Sequence, residues 1–385
     1  MAWFAEEVHN KERLGLGVGR AFVLEHSVWG GTLGEQLLIA YVGLDQRISS
    51  VLLEILQRGS FMPEIPGFAD VEEAAKRIAP HSARTPLLEN CALNEHLQAR
   101  ILIKPECLQR VGAFKFRGAY NAISRVDAAA FPGGVVTCSS GNHAQGVAEA
   151  ARIMGFKAAI VMPSDAPKIK VRGVKRAGGE VIAYDRKNES RETIAKRIAD
   201  ERQAAFIPPF DDPKVIAGQG TVGLELMSDA DALGAVPDAV LVPASGGGLI
   251  SGVAIAVKHF SPGTEVNSVE PSGFDDLARS LKAGKHEHNE PGHASICDAL
   301  LVPTPGKLTF EICREFLAGG LVVSDEAALS AMRYAFETLK LVVEPSGAIA
   351  LAALLDGAFP VKGRTVAVVL SGGNVDPDMF ATAIA

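Results

Sequence analysis

Lys115 lies between two phenylalanines in the run Ala113-Phe114-Lys115-Phe116-Arg117-Gly118-Ala119. An amine flanked by aromatic rings is a poor solvating charge. It is better suited to partial dehydration and attack on a carbonyl. Loops downstream supply matching chemistry. In Ser245-Gly246-Gly247-Gly248 the glycines let backbone N–H groups approach an anion, and a helix start beyond them favours negative charge. No Gly-Lys-Ser/Thr follows, and Ser251 stands where a dinucleotide fingerprint needs its third glycine. A single phosphate is therefore expected rather than a nucleotide, with a plain glycine-rich turn as the alternative. Ser139-Ser140-Gly141-Asn142-His143 is dense in donors and suits a carboxylate at a helix start, or an ordinary helix cap. Ser371-Gly372-Gly373-Asn374 offers a hydroxyl that can hydrogen-bond a ring nitrogen without protonating it. A lysine amine, a single-phosphate cradle and a serine for a ring nitrogen together describe a site for pyridoxal 5′-phosphate.

These residues stand at the ends of strand–loop–helix units. A strand over Val135–Cys138 leads into the Ser139 loop, and a helix over Ala144–Met154 leaves it. Strands over Ala158–Met162 and Val181–Tyr184 alternate with helices over Ile169–Ala177 and Arg191–Ala204. Pro208-Pro209-Phe210-Asp211-Asp212-Pro213 reads as a linker. A second series follows, with strands over Ala239–Val242, Glu265–Val269 and Thr365–Leu370 and helices over Leu249–Phe260 and Asp325–Lys340. Such alternation predicts an α/β fold with two open parallel sheets. The expected organisation is a large cofactor-binding domain of residues 62–127 and 212–385, with a small domain of residues 128–211 between them. Asp70 is expected to N-cap a helix ending at Ile78. Residues 1–61 form an extension with a helical period over Leu33–Gln57. It is either an added segment or a mis-set start, and Met62 is favoured as the natural first residue.

The 385 residues are 48% hydrophobic and 22% charged, with a net charge of −7. An acidic chain with scattered lysines argues against a nucleic-acid partner. Cys91, Cys107, Cys138, Cys297 and Cys313 are odd in number and form no CxxC pair, so neither a zinc site nor a disulfide framework is indicated. A reducing cytoplasm fits that usage. No apolar run has the length of a transmembrane helix, and no membrane partner is expected.

From about Phe68 to the C-terminus the chain resembles the threonine/serine dehydratase and serine racemase family of pyridoxal-phosphate enzymes. Six stretches carry the resemblance. They are Ala113 to Ala119, Ser139 to Gly146, Val215-Ile216-Ala217-Gly218-Gln219-Gly220-Thr221, Ser245 to Leu249, Glu344-Pro345-Ser346-Gly347-Ala348 and Ser371 to Asn374. The fold this implies is tryptophan synthase β-subunit-like, also called fold type II. Two departures stand out: Ser245 replaces the first of four glycines usual in the family's phosphate loop, and Ala113 stands where serine is frequent.

The resemblance implies roles. Lys115 would carry the cofactor covalently, with Phe114 beside it. Asn142 would meet the ring hydroxyl, Ser245, Gly246, Gly247, Gly248 and Leu249 the phosphate, and Ser371 the ring nitrogen, with Glu344 nearby. Ser139, Ser140, Asn142 and His143 would receive the substrate carboxylate, joined by Arg191, which matches a carboxylate-clasping arginine of serine racemases. Lys115 and Ser140 would be the acid/base pair on opposite cofactor faces. Glu270, the Phe274 carbonyl and Asp276 resemble the family's divalent-cation loop, for Mg²⁺ or Ca²⁺. The implied activity is conversion of L-threonine or L-serine to a 2-oxo acid and ammonia, in a homodimer. Serine racemase and 3-hydroxyaspartate dehydratase are the alternatives within the family. A silent cofactor-binding protein is the alternative outside enzymes.

Overall fold

A computed structural model describes residues 65–139, 141–186 and 188–385. The expectations for residues 1–61 lie outside them. In chain order the first elements are α1 (Phe68–Ile78), α2 (Cys91–Leu97), β1 (Arg100–Pro105) and α3 (Lys115–Ile123). Then come β2 (Val135–Cys138), α4 (Asn142–Met154), β3 (Ala158–Pro163), α5 (Lys168–Arg176), β4 (Glu180–Tyr184), α6 (Arg191–Arg202) and β5 (Ala205–Phe206). The chain continues through α7 (Pro213–Ala232), β6 (Ala239–Pro243), α8 (Gly248–Phe260), β7 (Glu265–Pro271), α9 (Asp276–Ala283), α10 (Lys307–Phe316) and β8 (Gly319–Val323). It closes with α11 (Asp325–Tyr334), α12 (Pro345–Leu355), β9 (Thr365–Leu370) and α13 (Pro377–Ile384).

The strands form two sheets. One has five strands in the order β1-β9-β6-β7-β8, the other four in the order β4-β3-β2-β5. Every paired strand runs parallel to its neighbour. Successive residues of a strand point to opposite faces, and helices cover both faces here, so β3, β6 and β9 are apolar along nearly all their length. On the five-stranded sheet, Ile101, Leu241 and Val368 pack with α11 and α12. Their neighbours Leu102, Val240 and Val369 pack with α7 and α8. On the four-stranded sheet, Val135 and Ile160 pack against Phe116, Ala119 and Ile123 of α3 and against α4. Val136 and Val161 meet Ala195 and Ile198 of α6 on the other face.

α7 has 20 residues. Mid-helix glycines disfavour a helix by about 1 kcal/mol each, which hides it from propensity. They are there for contact: a Cβ on Gly218 would lie 2.6 Å from the Cα of Gly118 in α3. The helices therefore cross backbone to backbone. A buried ion cluster secures the same crossing. Arg117 donates to Glu106 at 2.7 and 2.8 Å and to Glu225 at 2.8 Å through each of two nitrogens. Lys104 donates to Glu225 at 2.7 Å. Two cations and two carboxylates balance in this cluster, as buried charge requires.

Local readings need correction in three places. α1 starts two residues before Asp70, on Gly67. Asp70 accepts the Gly67 N–H at 2.9 Å, so it closes the cap from inside the helix rather than serving as N-cap. The helix from Asp325 ends at Tyr334, and a π-turn over Ala335–Leu339 follows. The segment 208–213 is not a free linker, as the site shows.

Candidate active site

In open α/β sheets ligands bind beyond the carboxyl ends of the strands. Ser371 follows β9, Ser245 lies two residues beyond β6, and Ser139 follows β2. All three line one cleft, together with Lys115 at the start of α3. The placement of Lys115 has a local cause. Residues 111–114 zip onto residues 371–374. The Phe114 N–H donates to the Ser371 carbonyl at 3.1 Å, the Gly373 N–H to the Gly112 carbonyl at 2.9 Å, and Asn374 Nδ2 to the Val111 carbonyl at 2.8 Å. The lysine is thereby held beside the serine, across a separation of more than two hundred residues in sequence.

Lys115 Nζ donates to the Pro209 carbonyl at 2.6 Å and lies 5.2 Å from the centre of the Phe114 ring. Burial pushes its pKa down to about 8, so a larger neutral fraction exists near neutrality than for a surface lysine. His143 is buried, and burial and then the Lys115 charge push its pKa down to about 3. Its Nε2 lies 3.2 Å from the Ile207 carbonyl, which assigns the ring proton to Nε2. Nδ1 is buried with no partner and remains an acceptor.

At the far side of the cleft, no side chain caps α8, whose N-cap is Gly247 with φ of +92°. Gly246 runs against the Phe210 ring, where a Cβ would lie 2.5 Å from the nearest atom. The Gly246 carbonyl is tied down by the Thr309 hydroxyl at 2.6 Å and the Gly306 N–H at 3.2 Å. The Ser245 hydroxyl accepts the Val302 N–H at 3.3 Å, so it fastens the neighbouring loop as well as standing in the cleft wall.

The 208–213 segment builds this wall. Pro209 receives Lys115 and Phe210 covers the glycines. Asp211 accepts the first N–H groups of α10 at 3.0, 2.9 and 3.1 Å. Asp212 N-caps α7 at 2.8 and 3.0 Å. Asp before Pro at a helix start is a local cap signal that could have replaced the linker reading.

At the start of α4, Asn142 donates to Glu344 and accepts from Asn374 Nδ2 at 2.9 Å. The Ser139 hydroxyl accepts the Gly141 N–H at 3.2 Å. Ser140 lies outside the described residues. Arg191, first residue of α6, lines the same cleft and pairs with Glu192 at 2.6 Å. Tyr184, Arg186, Asp298 and Ser346 line it too. Sequence reasoning missed Tyr184, Arg186 and Asp298, because no local motif marks them; Ser346 lies in the Glu344–Ala348 stretch but carries no assigned role there.

The residues around the cleft fit pyridoxal phosphate. A glycine cradle closed by Phe210 and Thr309 meets an uncapped helix start, suited to a phosphate. A dehydrated amine and a serine hydroxyl line the same cleft, groups of the kind the cofactor calls for. Residues 78–372 match the family model described as pyridoxal-phosphate dependent enzyme. The chain belongs to that family. Within it, the chain is 40% identical to a serine racemase of Schizosaccharomyces pombe, over 82% of this chain and 97% of the relative. It is 42% identical to an L-threo-3-hydroxyaspartate ammonia-lyase of Saccharomyces cerevisiae, over 83% and 97% of the two chains. The solved threonine deaminase of T.th. superposes with a TM-score of 0.76 at 46% identity, covering 81% of this chain and 99% of that one. The pyridoxal-phosphate enzyme fold here is fold type II, and the cofactor is pyridoxal phosphate.

In this pyridoxal-phosphate enzyme the three acidic-loop positions are near one another in sequence but differ in environment. Glu270 is fully buried, and both its oxygens accept N–H groups of α9, from Leu277 at 3.0 Å and Ala278 at 2.7 Å. Asp276 is fully buried, accepts Asn289 at 2.6 Å through one oxygen, and keeps the other unpartnered. Burial raises both carboxyls, Asp276 to about 6. Two buried carboxylates, one with an orphaned oxygen, fit a hard cation with oxygen ligands. Among the described residues no group of three or more His, Cys, Asp or Glu side chains could hold a metal. No helix among the described residues is long and apolar enough to cross a membrane.

Proposed function

We propose that this protein is an ammonia-lyase acting on β-hydroxy amino acids, with L-threonine and L-serine as substrates. The observation that carries this reading is the shared cleft of Lys115, the Gly246–Gly248 helix start and Ser371. When bound, the cofactor supplies the electron sink that acidifies the substrate α-carbon. The chain supplies the rest. The N–H groups of Gly246, Gly247, Gly248 and Leu249 hold the phosphate. Ser371 offers a neutral hydroxyl to the ring nitrogen, a weaker partner than a carboxylate, which favours prompt loss of the β-hydroxyl. Lys115, lowered to about 8 by burial, takes the α-proton at Nζ as general base. Ser139, Asn142 and the start of α4 receive the substrate carboxylate. His143 stays neutral and presents Nδ1 as an acceptor. Loss of the β-hydroxyl as water, then hydrolysis, yields the 2-oxo acid and ammonia.

A second substrate reading has its own support. Arg186 and Arg191 both line the cleft, and two guanidinium groups suit a second carboxylate. L-threo-3-hydroxyaspartate carries one. Glu270, Phe274 and Asp276 are proposed as the Mg²⁺ or Ca²⁺ site. One assay tests these readings together. The loaded enzyme is incubated with L-threonine, L-serine and L-threo-3-hydroxyaspartate, with and without Mg²⁺, and both 2-oxo acid and the chirality of the remaining amino acid are measured. Release from none of the three would sink the lyase reading. Inversion of serine without 2-oxo acid would make the protein a racemase.

A further inference from the structure

Lys170, third residue of α5, is fully buried. A buried ammonium is costly unless it is paired. Its partners lie far away in sequence. Asp298, between α9 and α10, accepts from its Nζ at 2.9 and 2.7 Å. Glu344, the residue before α12, lies 3.0 Å from it. Glu344 in turn accepts the Asn142 side-chain N–H. The Lys170 stem also packs on Gly141, where an added Cβ would lie 3.3 Å from Cδ. A separate contact fastens the same helix turn: Asp376 accepts the N–H groups of Lys168 and Ile169 at 3.1 and 3.0 Å. α5 packs with the four-stranded sheet through Val174, joined by its C-cap residue Ala177. Glu344 and Asp376 flank helices beside the five-stranded sheet.

We propose that Lys170 is a positioning residue: it holds the Glu344 carboxylate in the charged form that accepts the Asn142 amide, and so fixes the first turn of α4 against the five-stranded sheet. The inference deepens the function proposed above, and only its kinetic arm rests on that reading. The groups facing Glu344 are Lys170 from α5, Asn142 from α4, Asp298, and the thiols of Cys107 and Cys297. Burial pushes both thiols up to about 12, so they stay neutral. Burial raises the Glu344 carboxyl, Lys170 draws it down and Asp298 raises it. Burial works against the Lys170 charge, but Glu344 and Asp298 outweigh it and hold its pKa at about 12. Without the ammonium, the buried Glu344 carboxylate would face the half-buried Asp298 carboxylate with no cation between them, and Glu344 would take up a proton.

The test compares wild type, Lys170→Met, Lys170→Arg and the double variant Lys170→Met/Glu344→Gln as holoenzymes at pH 7. The first readout is the infrared band of a protonated carboxyl. Burial of Glu270 and Asp276 raises both carboxyls and gives every variant a common background, so the comparison is made as a difference from wild type: Lys170→Met gains additional intensity in this band, and Lys170→Arg and the double variant do not. The second readout is the pH profile of kcat/KM on the best of the three substrates. Lys170→Met loses about tenfold or more, as misplaced positioning groups do, and its acid limb moves to higher pH. The double variant recovers most of that loss. No added intensity together with an unmoved acid limb would overturn the proposal, as would a loss the double variant does not recover. If Lys170→Met does not fold, recovery of folding in the double variant supports the charge argument, and equal failure of both overturns it. A wild type inactive on all substrates would defeat the lyase reading, while the infrared comparison still decides the role of Lys170.

Discussion

Lys115 Nζ and the Pro209 carbonyl oxygen are 2.6 Å apart, so the amine is aimed by a residue that no motif marks. Burial lowers its pKa to about 8, and only the neutral amine attacks a carbonyl. The rate at which the cofactor-free protein captures pyridoxal phosphate, read as growth of visible absorbance, should rise with pH and level off above about 8. An ordinary lysine would keep gaining about tenfold per pH unit up to its usual pKa near 10.4. A continued rise beyond pH 9 would contradict the dehydrated site.

Gly247 should be the least replaceable residue of the phosphate cradle. Its φ of +92° disfavours any side chain, and a Cβ would lie 2.8 Å from Thr309. Gly247→Ala should weaken cofactor binding by about tenfold or more, given a strain of about 1–2 kcal/mol plus the clash. Fluorescence titration measures it, with far-ultraviolet circular dichroism as the control for folding.

His143 gives a prediction about acid. Its folded pKa of about 3 lies below the usual value near 6.5, so between those pH values the unfolded chain binds more protons. Stability is then lost as pH falls from 6.5 towards 3. At pH 5 the loss relative to pH 7 from this group is about 2 kcal/mol. Urea unfolding of wild type and His143→Asn at both pH values checks it. The variant should lack this part of the pH dependence, and an identical pH dependence in the two proteins would contradict it.

The cluster behind Lys115 is structural. Arg117 is fully buried between Glu106 and Glu225. Arg117→Met leaves both carboxylates short of a cation and should cost about 3–5 kcal/mol in urea unfolding. A change below about 1 kcal/mol would show that the carboxylates are neutral instead.

Much of the site is legible in the sequence because it is local. Lys115 between phenylalanines, the glycines after β6 and Ser371 after β9 are short signals at strand ends, and β2 and β9 match their expected ranges to the residue. α7 is hidden because its glycines serve contact with α3 and α8, which propensity cannot see. β8 escapes a pattern search because it opens with Gly319 and Gly320 and has only five residues. The 208–213 wall looks like a linker because prolines and aspartates mark both turns and helix caps. Lys170 and Asp298 meet across 128 residues of sequence, and such pairings are a property of the fold rather than of any window.

In the proposed lyase, Lys115 performs the proton chemistry. The most direct measurement is 2-oxo acid release from L-serine, L-threonine and L-threo-3-hydroxyaspartate, by wild type and by Lys115→Ala, with pyridoxal phosphate in excess. Release from at least one substrate by wild type, and from none by Lys115→Ala, is the predicted result. No release by wild type from any of them, or release undiminished in Lys115→Ala, would contradict it.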